Sequence, residues 1–434
     1  MPSDSALPIT DQPAVQDVPR PPVGARFVIP LAVAYFGVWV AWLAPLVLTL
    51  QVKVSELTPA SRTGSLSLVL GVSSVLSLLA MPVMGRLSDR TLSRWGMRRP
   101  WLMGGALLGS AGTVIVAVAG SIPVLLVGWC ITNVVLASLV SVVLAMLPDQ
   151  VHADARGKVS GILGLANALG AIVSSGIAGA LTEVSTAAAV LVPGLLGMLC
   201  VALACLLLKD RVLDPRDRPA LSVGLLIRSY TFNPRRHPDF GWAWFSRFAI
   251  FLALAWAQTY QVFYLTGQVG LSQSKATAVV STGVVTQTVC MVVGSLVFGP
   301  LSDRLRRRKV FVLASAVTAG AGLLALAFAT TVPGYFLAMV LVGTGQGIYL
   351  AVDLALVTDV LPNKEADAAK DLGVFAVANL LPQSLAPAIA PAFLGIAFGT
   401  RAATHGNNFF VLFIIGAVCA LISAATVLPI RAVR

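Results

Sequence analysis

The chain has 434 residues, of which 57% are apolar and 11% charged, with a mean hydropathy of +0.88. A soluble domain carries about 25% charged residues, so the composition excludes a soluble protein and indicates an all-α membrane protein. The net charge of +12 does not point to nucleic acid, because the basic residues sit in short segments between apolar runs.

The five cysteines lie inside apolar runs and the three histidines are scattered, so neither a disulfide framework nor a metal site is expected. No cofactor-binding motif is present. Residues 1–26 are polar and Pro-rich without a signal-peptide core, which predicts a disordered cytoplasmic tail.

Segments long enough to cross a bilayer, about 20 residues each, follow in two sets of six. The first half, 27–208, holds spans near 27–50, 64–84, 101–119, 123–147, 158–182 and 187–208. Span 1 places Tyr35, Trp39 and Trp42 on one face at spacings of four and three; their place within the span suits a cavity wall better than a belt at the membrane surface, with ordinary helix packing as the alternative. Span 2 runs into Gly85, Asp89 and Arg90, followed by Arg98 and Arg99 at the start of span 3. Span 4 carries Trp129 and, one turn on, Asn133.

A polar segment at 209–240, including NPRRHP, reads as a cytoplasmic central loop. The second half, 241–434, has spans near 241–265, 277–298, 310–330, 333–358, 372–398 and 408–430. Span 7 carries Arg247, and on an ideal helix Gln258 and Gln261 share its side. Span 8 ends in Gly299, Asp303 and Arg304. Span 10 bears a stripe of Gln346, Tyr349 and Asp353 in otherwise apolar sequence. Asn167, Gln287, Asn379 and Gln383 are further polar residues within spans, candidates for cavity ligands or for interhelical hydrogen bonds, and span 11 contains Pro382, Pro387 and Pro391.

Arg247 lies six residues past Gly241, and Asp353 six residues before Asp359. At about 1.5 Å per residue both are roughly 9 Å in from the same side. An unpaired charge there is costly, so the two are expected to pair. Burial and an arginine partner pull the protonation of a carboxyl in opposite directions, which makes Asp353 the candidate for proton coupling. The alternative is a fixed salt bridge locking two helices.

The halves repeat. GRLSDR at 85–90 recurs as GPLSDR at 299–304, an offset of 214 residues, and LP at 147–148 recurs at 361–362. Two repeated six-helix halves fit a transporter with its site between them near mid-membrane. With both termini inside, the external loops hold only Lys53, Arg62, Lys275 and Arg401, and the positive-inside rule fixes this orientation in the cell membrane.

The stretch GRLSDRTLSRWGMRRPW beginning at Gly85 resembles the loop 2–3 signature of the major facilitator superfamily: Gly, three residues, Asp-Arg, then Gly and paired Arg. Its SDR-TLSR-WG-MRRP spacing, and KDLGVFAVANLLPQSLAP at 370–387, are similar to the sucrose–proton and glycoside–pentoside–hexuronide:cation symporters. The resemblance implies twelve helices in two pseudo-symmetric halves, with spans 1, 4, 7 and 10 lining the cavity. It also implies a cytoplasmic gate formed by Gly85, Asp89, Arg90, Arg98, Arg99, Gly299, Asp303 and Arg304. There Asp89 would face the start of span 11 and Asp303 that of span 5, where free N–H groups favour an anion.

The function expected is secondary active transport of a small organic solute, a sugar or glycoside, coupled to protons, with Na⁺ not separated from H⁺. The alternative is a proton-coupled exporter of drugs or metabolites. Many such antiporters carry a Gly-Pro motif in helix 5, which span 5 lacks. No nucleophile–base pair or nucleotide loop suggests an enzyme. The glycines of GTGQG (343–347) read as close helix packing.

Overall fold

A computed structural model describes residues 24–217, 237–305, 307–360, 368–395 and 408–430. Of the expected tail and central loop, residues 1–23 and 218–236 lie outside the described residues. Twelve helices among the described residues are long and apolar enough to span a membrane. In the first half they are α1 (Ala25–Leu57), α2 (Arg62–Asp89), α3 (Arg99–Val118), α4 (Ile122–Gln150), α5 (Ala153–Thr182) and α6 (Thr186–Leu207). In the second they are α7 (Pro238–Thr259), α8 (Gln273–Leu305), α9 (Arg308–Phe328), α10 (Val332–Val360), α11 (Ala368–Leu394) and α12 (Phe409–Val427).

The helices outrun the apolar windows read from sequence, because hydropathy marks the bilayer and caps mark the helix. Thus α2 continues through the LSD of the first repeat and α8 through that of the second.

Packing repeats between halves. In the first, α1 packs on α5 and α6, α2 on α4, and α3 on α4 and α6; in the second, α7 packs on α11 and α12, α8 on α10, and α9 on α10 and α12. The halves meet through α2 with α11 and, symmetrically, α5 with α8. Gly343 and Gly347 of GTGQG lie so close to the backbone of Gln287 and Met291 on α8 that a side chain there would collide, and Gly345 does the same against α9. Small residues permit this approach, and without a hydrophobic drive between helices in lipid, such contacts carry the packing.

Two helices are irregular. Ser174 of α5 inserts into α1, accepting from the Ala44 amide at 2.8 Å and donating to the Val40 carbonyl at 2.7 Å. A π turn, Pro45–Thr49, follows, consistent with Pro45 having no N–H for the regular ladder. The other irregularity is at Tyr260, where α7 breaks and a short helix, Gln261–Gly267, continues the chain.

The core is asymmetric along the membrane normal. Opposite the Arg-rich loops, α1 and α2 residues such as Leu48, Val54 and Leu66 join one apolar core with α7–α12. Toward the Arg-rich side the first half keeps a separate core, including Leu31, Leu139 and Leu163. Hydrogen bonds across the halves among the described residues follow the same division. Ser67–Tyr260 (2.7 Å), Gln51–Val262 (3.0 Å), Ser175–Ser281 (2.6 Å) and Glu183–Ser274 (2.7 Å) all lie away from the Arg-rich loops.

Candidate functional site

Two small cavities, about 70 and 60 Å³, lie between the halves and share Leu46, Ser74 and Gln383 as walls. The first reaches into the second half, against Phe251, Gln258, Thr259 and Gln346. The second reaches into the first half, against Trp42, Ser77 and Asn133. Among the described residues, no charged side chain lines either. Ligand sites typically measure about 300 Å³ or more, so these cavities must widen to admit a solute.

The amides of Gln258, Gln346, Gln383 and Asn133 share the polar wall with the hydroxyls of Ser74, Ser77, Thr259 and Ser384, and neighbours orient three of the amides. Gln346 accepts from Gln287 at 3.1 Å, leaving its own N–H₂ for the cavity. Gln383 donates to Asn379 at 3.2 Å, which leaves its carbonyl oxygen to accept. Asn133 is occupied, accepting from the Trp42 indole at 2.9 Å and donating to Ser73 at 3.3 Å.

Of the residues expected from sequence, Trp42, Asn133, Gln258, Gln346 and Gln383 line the cavities. Tyr35 and Trp39 continue from Trp42 along α1 as an aromatic row, with ring centroids 6.1 Å and 5.3 Å apart. Trp129 is fully buried, and its indole nitrogen has no hydrogen-bond partner among the described residues. Gln261 is off the cavity wall: the break at Tyr260 turns it away from the side an ideal helix would give it, and its carbonyl oxygen accepts from Tyr335 at 2.7 Å.

Arg247 and Asp353 form an ion pair through Nη1 and Oδ2. Both side chains are largely buried, 14% and 7% exposed, and among the described residues neither Arg247 Nε nor Asp353 Oδ1 has a hydrogen-bond partner. The guanidinium also lies over the rings of Phe375, at 4.6 Å, and Phe251, at 5.4 Å, contacts that suit a desolvated cation. Tyr349, one turn before Asp353, meets the Phe251 ring edge-on. Phe251 therefore separates the ion pair from the cavity. Sequence reasoning did not single it out, nor Ser74 and Ser77; one phenylalanine among the many aromatics of α7 carries no distinguishing signal.

At the Arg-rich end, buried Arg98 bridges Asp89 (2.5 Å) and Asp149 (2.7 Å) and also donates to Ser88. Asp210, just past α6, accepts from the amides of Arg98 (2.5 Å) and Arg99 (3.0 Å) at the start of α3. Burial pushes the Asp210 carboxyl up, partly offset by those amide bonds. Arg99 in turn donates to the Cys205 carbonyl at the end of α6, at 2.8 Å. Asp149 and Asp210 were not foreseen.

Asp89 thus bonds within its own half, and the segment leading into α11 (361–367) lies outside the described residues. Asp303 and Arg304 are exposed at the end of α8. Arg90 Nε is buried without a hydrogen-bond partner among the described residues. Gly85 and Gly299 occupy matching places, against Ser141 on α4 and Ala351 on α10 respectively.

The profile of the Major Facilitator Superfamily matches residues 27–286 and, again, 249–433. The chain belongs to the Major Facilitator Superfamily. Solved structures of superfamily architecture superpose over nearly the whole chain. For the nucleoside transporter NupG the TM-score is 0.72 at 12% identity, covering 93% of this chain and 99% of that one. For a D-xylose-proton symporter it is 0.68 at 17% identity, covering 93% and 98%. An uncharacterized symporter of Synechocystis sp. is 45% identical over 49 residues, which is 11% of this chain and 8% of that protein. As a superfamily member of this architecture, the protein is a multi-pass secondary transporter.

Proposed function

We propose that the protein carries an uncharged, hydroxyl-rich solute of the sugar or glycoside class together with protons, and that Asp353 is the coupling residue. The Arg-rich side is cytoplasmic in this reading, so the structure represents the state closed to the outside. The observation that carries the proposal is the buried Arg247–Asp353 pair, a single phenylalanine away from a cavity with no charged side chain among its described lining residues. A charged solute would leave water for a wall offering no counter-charge, which is expensive. A neutral polyol exchanges its water for the amides of Gln258, Gln346 and Gln383.

The chemistry is a proton exchange. While Arg247 stays paired, Asp353 is held as the carboxylate. When the guanidinium parts from the carboxylate, the carboxylate must be neutralised, because an unpaired buried charge is far costlier than a paired one. The bound proton then crosses with the solute as the halves alternate about the cavity.

The test is uptake into proteoliposomes under an imposed pH gradient, acid outside. Neutral sugars and glycosides should accumulate, and collapse of the gradient should abolish accumulation. Movement of hydrophobic cations in the opposite direction, with no sugar uptake, would favour the exporter reading instead.

A further inference from the structure

Gln51 is a polar residue near the outer end of α1, fully buried at 0% exposure. Its side chain joins the irregular segments of two helices from opposite halves. The Gln51 amide donates to the Val47 carbonyl within the π turn of α1, which fixes the orientation of the amide. Its oxygen then accepts from the Val262 backbone N–H at 3.0 Å. Val262 is the second residue of the short helix after the Tyr260 break, where first-turn amides have no partner in their own helix. Around this contact Tyr260 bonds Ser67 of α2 at 2.7 Å and the Pro387 carbonyl of α11 at 3.3 Å.

We propose that Gln51 is a positioning residue that latches the side opposite the Arg-rich loops, holding α7 broken at Tyr260 by supplying the partner its Val262 amide would otherwise find in the helix. Buried amides are nearly always paired, so separation of the halves on that side requires a replacement for Gln51. The carbonyl four residues back, that of Gln258, is the helical replacement. Opening therefore heals the break, and α7 runs continuously through Tyr260. Gln258 also lines the cavity, so the same hydrogen-bond exchange links the outer latch to the solute site.

The inference rests on the two halves alternating about the cavity, but on neither the solute nor the coupling ion. It is tested with spin labels at Val184→Cys and Gln273→Cys, both exposed near the Glu183–Ser274 contact between halves. The labels go into the full chain freed of its native cysteines and reconstituted in nanodiscs, and their distance distribution is read. Gln51→Leu should raise the ratio of long to short distances about five-fold, the worth of one net hydrogen bond. Val262→Pro should do the opposite. Proline needs no partner at the break, and its ring clashes with the Gln258 carbonyl in a continuous helix, so the long-distance population should fall below that of the parent.

Gln51→Met, closer in length and flexibility, is the second variant if leucine impairs assembly. Hydrogen exchange of the parent peptide containing Val262 checks the latch without any variant, and should show protection in the closed state. Equal shifts in the same direction for Gln51→Leu and Val262→Pro would overturn the proposal. So would an unchanged distribution in Gln51→Leu and Gln51→Met, or an unprotected Val262 amide. Asp353→Asn should leave the Gln51→Leu shift intact, so a failure of proton coupling is distinguishable from a failure of the latch.

Discussion

Arg247 and Asp353 were legible from sequence for a simple reason. One base and one acid stand in otherwise apolar spans at equal depth, and charges in a membrane must find each other. Their surroundings were not legible, because the aromatics of α7 look alike until the fold selects Phe251 for the cavity wall and the cation. The pair makes a double-mutant prediction. Arg247→Gln alone leaves a buried carboxylate without its partner and should lower stability by about 3 kcal/mol, whereas Arg247→Gln with Asp353→Asn should recover most of that loss. Thermal melting of the purified variants, taken as a cycle, checks this. Equal losses in the single and double variants would mean the guanidinium contributes through its aromatic contacts and not through the carboxylate.

Helices as units were the most legible level, and their interruptions the least. GTGQG pointed to close packing, and α10 does lie against α8 and α9 at those glycines. Gly347→Val should therefore force α8 and α10 apart at a cost of about 1–3 kcal/mol, read as a lower melting temperature, while the same change at Gly161, which faces open space, should leave melting nearly unchanged. The break in α7 left no proline or glycine in the sequence to announce it; it depends on Gln51, some two hundred residues away, and local propensity cannot report such a partner. The cap on α3 is similar, since Asp210 arrives from beyond α6. Its raised folded-state value means the fold favours protonated Asp210. That contribution is complete below the ordinary carboxylate range and is lost as pH rises through the raised value. In Asp210→Asn, this part of the stability–pH curve should flatten, as melting scans across mildly acid to neutral pH would show.

For the whole molecule, the offset of 214 residues between the two GxLSDR copies disclosed the pseudo-symmetry, and the pairing of helices repeats it. The conformational state was not legible, because one sequence encodes every state of the cycle and their energies differ by only a few kcal/mol. What distinguishes this state is where the halves touch: cross-half hydrogen bonds at one end of the bundle, with separate cores at the other. In the proposed cycle Asp353 links proton movement to that of a neutral solute through the cavity. The most direct measurement places a pH-sensitive dye inside liposomes containing the protein and adds sugars and glycosides outside. The prediction is solute-triggered acidification in the parent protein and none in Asp353→Asn, while solute still exchanges across both membranes. Acidification that persists undiminished in Asp353→Asn would contradict the assignment.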